Sequence, residues 1–113
     1  MPTHEINVSS PWFKYIADGF KKIEGRLNKG TFSNMKVGDM LTINNTDKTQ
    51  QIIAKIVDIS KYNSFESYLI MEGLKRTLPG IKTIEDGVKV YRQFYNEKAE
   101  KEYGVVAIRI KIQ

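Results

Sequence analysis

Residues 50–59 carry Ile52, Ile53, Ile56, Val57 and Ile59. Side chains of a strand alternate between its two faces. This run therefore puts apolar groups on both sides of any strand it forms. A surface hairpin accommodates that poorly, and the pattern predicts a strand in a closed or covered sheet. A second strand is expected over 104–112, where Val106, Ile108, Ile110 and Ile112 alternate with Ala107, Arg109 and Lys111, the pattern of half-burial.

The rest of the chain reads as strands interrupted by short helices. A first strand is expected over 4–8. Ser10 with Pro11 then reads as a helix start, with Ser as N-cap. Trp12, Tyr15 and Ile16 form its apolar stripe, and Gly19 stands where a C-cap glycine belongs. Residues 22–27 read as a strand and 28–35 as a loop or single helical turn. Val37-Gly-Asp39 is a turn feeding a strand over 40–44. The polar residues 44–48 make a hairpin loop. Asn63-Ser-Phe-Glu66 has capping-box spacing, opening a helix that Gly73 ends. Thr83 caps another, running to about Tyr95 through Ile84, Val88 and Tyr91. The helices do not alternate regularly with the strands. The sum is an α+β fold with a mainly antiparallel, barrel-like sheet of about five to six strands and two or three helices.

A chain of 113 residues suits a single domain spanning 1–113, with a core that needs no staple. It has no cysteine, which excludes thiol chemistry and cysteine-bound zinc, and its one histidine, His4, lies close to the N-terminus, so neither a catalytic triad nor a multi-histidine metal site is expected. No metal or cofactor is expected. The net charge of +5 suits a nucleic-acid partner and equally a protein with spare lysines. No apolar run approaches the ~20 residues that cross a bilayer. The first residues lack a signal-peptide pattern. No membrane contact and a cytoplasmic setting are expected.

Chemistry concentrates in Gly19-Phe-Lys-Lys-Ile-Glu-Gly-Arg26. Glu24 and Arg26 are two apart and share one face of a strand. Ile23, Gly25 and Leu27 take the other, toward the core. Lys21 has the core-side parity, and joins them only from a turn or bulge before the strand, which Gly19 permits. Arg26 offers planar bidentate donation to a phosphate or carbonyl. Glu24 accepts from a base amino group or acts as a general base. Lys21 neutralises phosphate or, desolvated, serves as base or nucleophile. On spacing alone a surface salt-bridge cluster, worth about 0–1 kcal/mol per pair, is the simpler reading.

The arrangement G-x-K-x-x-E-x-R resembles the signature of the ASCH domain, a small relative of the PUA RNA-binding domain. Tyr62-Asn-Ser-Phe65, Glu72-Gly-Leu74, Leu78-Pro-Gly80, Ile84-Glu-Asp-Gly-Val88, Tyr91-Arg-Gln-Phe-Tyr95 and Tyr103-Gly-Val-Val-Ala-Ile108 are similar to small microbial members of that family. The resemblance implies a PUA-like β-barrel flanked by helices, with Lys21, Glu24 and Arg26 lining a cleft for RNA or a nucleotide. Tyr62, Phe65, Tyr91 and Tyr95 are candidate stacking surfaces, Tyr62 first because it precedes a helix and is expected on a loop. Lys75, Arg76, Lys89, Arg92, Arg109 and Lys111 are candidates to extend the footprint. One branch of the family hydrolyses the amide of acetylated cytidine with the motif lysine, a threonine at the motif's glutamate position and a separate glutamate. Here that position is Glu24. The resemblance thus implies an RNA- or nucleotide-binding domain, with an amidohydrolase using Lys21 and Glu24 as the alternative. Another activity in the wider family is metal-dependent ribonuclease action, and no metal-ligand spacing supports it here. A protein-interaction role has no specific support in the sequence.

Overall fold

A computed structural model describes residues 2–113. Five strands, Thr3–Asn7 (β1), Ile23–Leu27 (β2), Met40–Asn44 (β3), Gln51–Tyr62 (β4) and Val105–Ile112 (β5), form one sheet in the order β1-β3-β4-β5-β2. β1 runs parallel to β3, and every other pairing is antiparallel. Five helices accompany them: Trp12–Ala17 (α1), Phe65–Glu72 (α2), Leu74–Thr77 (α3), Ile84–Arg92 (α4) and Glu97–Tyr103 (α5). A 3-10 turn covers Gly30–Asn34. The sheet curls into a half-barrel, and the α+β class is as expected. The expected two or three helices become five because α3 is a single turn and α5, Glu-Lys-Ala-Glu-Lys-Glu-Tyr, is mostly charged, so neither shows an apolar rhythm.

Two cores sandwich the sheet. Ile6, Leu41, Ile43, Ala54, Ile56, Val106 and Ile108 pack together on one side, with Phe13 and Ile16 of α1. Ile23, Leu27, Val105 and Ala107 face the helices on the other side, against Phe65, Tyr68, Leu69 and Tyr91.

β4 departs from its expected pattern for a specific reason. Its register with β5 shifts between Ile56 and Asp58, so Ile56 pairs with Ile110 and Ile59 with Ile108. A bulge at Val57 therefore switches the inward parity. Ile52, Ala54 and Ile56 point inward before it and Ile59 after it, while Ile53 and Val57 are exposed. The two apolar parities record a bulge, and only one face of the strand's first half is covered.

Capping also differs in detail. Ser10 does not cap α1, where Pro11 holds the N-cap position without a side-chain bond. Ser64, one residue beyond the expected cap, accepts from the Ser67 N–H at 3.0 Å. The partner of the α2 start comes from far away in sequence: the Phe65 N–H donates to Glu100 Oε2 at 2.6 Å. Thr83 caps α4 as expected, accepting from Asp86 N–H at 3.1 Å.

Candidate functional site

The segment before β2 is held by main-chain bonds. Gly19 adopts φ +83°, which favours glycine, and lets the chain reverse after α1. The N–H groups of Phe20 and Lys21 both donate to Tyr15 O, and that of Lys22 to Arg76 O. β2 begins only at Ile23, so Lys21 lies on the turn and escapes strand parity. The three charged residues of the motif do come together.

Lys21 is buried, at 2 % exposure. Its Nζ donates to Ile23 O at 2.7 Å and to Thr77 O, and lies 3.3 Å from Glu24 Oε1. Three acceptors match the three protons of an ammonium. Burial pushes the Lys21 ammonium below the usual lysine range, against the pull of Glu24. Glu24 is also buried. Its Oε2 accepts from Arg26 Nη2 at 2.9 Å and Nε at 3.2 Å. Burial alone would raise the Glu24 carboxyl, but Arg26 and Lys21 overcome it and hold the group below the usual carboxylate range.

Arg26 spans the mouth of the half-barrel. Its Nη2 also donates to Asn7 O at 2.7 Å, joining edge strand β2 to edge strand β1. Its guanidinium lies 4.9 Å from the centre of the Phe32 ring. Burial disfavours its charge, and Glu24 more than offsets that, so its pKa is raised. These bonds occupy Nε and Nη2, and the Tyr95 hydroxyl lies close enough to the guanidinium to share its remaining donors, so Nη1 is the part of the group open to a ligand.

The cluster floors a cavity of about 270 Å³ between the two sheet edges. Asn7, Val8 and Ser9 at the end of β1, Trp12 of α1 and Thr46 of the β3–β4 loop form one side. Leu78, Val90, Tyr91, Phe94 and Tyr95 form the other. Phe94 is 61 % exposed at the rim, although it is a large apolar side chain. Behind the cavity, Gly25 packs so closely on Tyr68 that an added Cβ would come within 2.5 Å of the ring. The Tyr68 hydroxyl meets that of Tyr91 at 3.0 Å, and burial pushes both phenols up.

Other candidates lie elsewhere. Tyr62 is the last residue of β4 and not on a loop. Its hydroxyl donates to Glu72, and it lines a different cleft with Asn28 and Tyr103. Phe65 is fully buried, stacked on Tyr91 at 4.4 Å and on Tyr95 at 5.5 Å, so it is core. Arg92 is committed to Glu100 at 2.9 Å, and Lys89 pairs loosely with Glu85 and Asp86 on its own helix. Arg109 and Lys111 are exposed on β5 and do not line the cavity. Trp12 and Phe94 escaped the sequence reading as site residues. For Phe94 there was a signal: it stands beside the Tyr91 and Tyr95 stripe, off its rhythm.

The ASCH domain family model matches residues 6–113. The chain belongs to the ASCH domain family. Among solved structures, the crystal structure of hypothetical protein PH0355 is 42 % identical, with TM-score 0.89 over 98 % of this chain and 99 % of that one. The solution structure of PF0455 from Pyrococcus furiosus is 40 % identical, with TM-score 0.77 over 97 % and 96 %. An ASCH domain from Lactobacillus crispatus, 18 % identical, shares the fold at TM-score 0.67 over 98 % of this chain and 79 % of that one. No curated protein matches the sequence. Among the described residues no group of His, Cys, Asp or Glu is arranged to hold a metal ion, and no helix is long and apolar enough to cross a membrane.

Proposed function

We propose that this ASCH domain binds RNA or a nucleotide by seating one base in the cavity between β1 and β2. The observation that carries the reading is an ionised, buried carboxylate beside a partly free guanidinium at the floor of an aromatic-walled cavity. Glu24 Oε2 is taken by two Arg26 donors, but Oε1 meets only Lys21 and keeps a second lone pair, which accepts from a base amino or imino group. Arg26 Nη1 donates to a base carbonyl or a phosphate. Trp12 and Phe94 supply apolar faces, worth about 1–3 kcal/mol for each stacked base. Lys21 orients Glu24 and does not itself reach the ligand, because its protons are committed. Titration of a fluorescein-labelled oligoribonucleotide tests this. Arg26→Ala should weaken binding about 10- to 100-fold, the loss of a charge-assisted hydrogen bond. Unchanged affinity would remove the pocket.

An amidohydrolase acting on an acetylated cytidine-type nucleoside is the second reading. One observation favours it: burial lowers the Lys21 pKa, as a catalytic base requires. Two oppose it. The Lys21 protons are all engaged, and Glu24, held ionised, has no proton to give. Release of cytidine from acetylated cytidine, lost in Lys21→Ala, would reverse the order of the two readings.

A further inference from the structure

We infer that the ligand is a single strand of RNA rather than a free nucleotide, and that the strand leaves the pocket across a second, cationic groove beside the 19–26 segment. This rests on the base-pocket reading above. The groove, about 520 Å³, is lined by Tyr15, Phe20, Lys22, Lys75, Arg76 and Ile81 among others, and no acidic side chain is in its lining. A phosphodiester chain fits that charge, and each phosphate neutralised releases counterions.

The groove and the pocket are neighbours at two points in the chain. Lys21 is part of the pocket's floor, while Phe20 and Lys22 on either side of it line the groove. Leu78 lines the pocket, and Pro79, the next residue, lines the groove. Consecutive Cα atoms are about 3.8 Å apart, so the two linings share a wall at both points, close enough together for the two-site engagement inferred here.

Phe20 supplies the second observation. It is 62 % exposed, yet its backbone is fixed by the bond to Tyr15 O at 2.9 Å and by its neighbours' bonds to Tyr15 and Arg76. An exposed ring on a rigid turn is a preorganised platform for a base. Lys22 and Lys75 are exposed, and among the described residues neither is in an ion pair. Their charge is available to phosphate.

The test compares two probes, a labelled ten-nucleotide oligoribonucleotide of mixed sequence and cytidine monophosphate. The variants are Phe20→Ala, the double Lys22→Ala/Lys75→Ala, and Arg26→Ala. The groove side chains are exposed, so their variants keep the fold, which circular dichroism verifies. Each groove variant should bind the oligomer about tenfold or more weakly, with monophosphate affinity unchanged. The double variant should also flatten the dependence of log affinity on log salt by about 1.4. Arg26→Ala should weaken both probes. Oligomer binding unchanged in both groove variants, with Arg26→Ala still weak, overturns the groove and leaves the pocket. Weakening in the groove variants with Arg26→Ala unchanged upholds the groove as an RNA surface and removes the base pocket. A protein that binds the monophosphate but no oligomer overturns the inference.

Discussion

Glu24→Gln is the sharpest perturbation of the buried cluster. In the native protein one carboxylate sits between two cations, 3.3 Å from Lys21 Nζ and 2.9 Å from Arg26 Nη2. The side-chain charge of the cluster is therefore about +1 (two cations and one anion). Glutamine keeps the shape and one acceptor oxygen. It raises that charge to about +2 and turns an N–H toward one of its two donors. Removing one partner of a buried ion pair costs about 3–5 kcal/mol. At about 2.1 cal/mol/K per residue, a 113-residue domain unfolds with an entropy of ~0.24 kcal/mol/K. The expected fall in Tm at pH 7 is then roughly 13–21 °C. Against a typical stability of about 5–15 kcal/mol the variant keeps a folded state over all but the lowest part of that range.

The pH dependence follows from the lowered Glu24 pKa. In the native state this carboxyl holds its proton less tightly than in the unfolded chain, whose ordinary value is 4.5. Its contribution is fully present above that value and is lost as pH falls through the lower folded-state value. The Tm gap between native protein and Glu24→Gln should thus be constant above about pH 5 and narrow on acidification. Calorimetry across pH 2–8 reads both effects. A fall of less than about 2 °C at pH 7 would show the cluster to be solvent-screened, and the burial argument would be wrong.

Three further outcomes are expected. Gly25→Ala forces a methyl group against the Tyr68 ring and should destabilise the fold by about 1–3 kcal/mol in urea titration, with loss at the high end if Tyr68 cannot move. Glu100→Ala strands the Phe65 N–H and frees Arg92, costing about 1–3 kcal/mol in the same assay, while a surface-like loss under 0.5 kcal/mol would mean water replaces the carboxylate. Tyr62→Ala should leave oligoribonucleotide affinity within about twofold in anisotropy titrations, because stacking, the term worth ~1–3 kcal/mol per base, is not expected at this ring, and a loss of about tenfold or more would place a base there. It lines a different cleft from the Lys21–Glu24–Arg26 cluster.

What the sequence disclosed, and what it hid, has a physical basis. The pairing of Glu24 with Arg26 on one face followed from the period of two, and the structure keeps it. Lys21 joins them through a turn that Gly19 permits, which parity alone would have forbidden. The closing contact, Arg26 with Asn7 O, was invisible, because it links strands that are sequence-distant and not paired in the sheet. The bulge at Val57 was disguised as two-sided burial, since one inserted residue and a covered outer face leave the same pattern. Glu100 capping α2 from 35 residues away carries no local signal at all. Tyr62 was misplaced because the strand continues three residues past Ile59 through Lys61, a polar position that faces solvent.

The central claim is that a base enters the cavity between the two sheet edges. Amide chemical-shift mapping with cytidine monophosphate tests it most directly. Shifts should concentrate at Val8, Ser9, Gly25, Arg26, Phe94 and Tyr95, which border that cavity. Shifts gathered instead around Asn28, Asn63 and Gly104, in the cleft that Tyr62 lines, would contradict it.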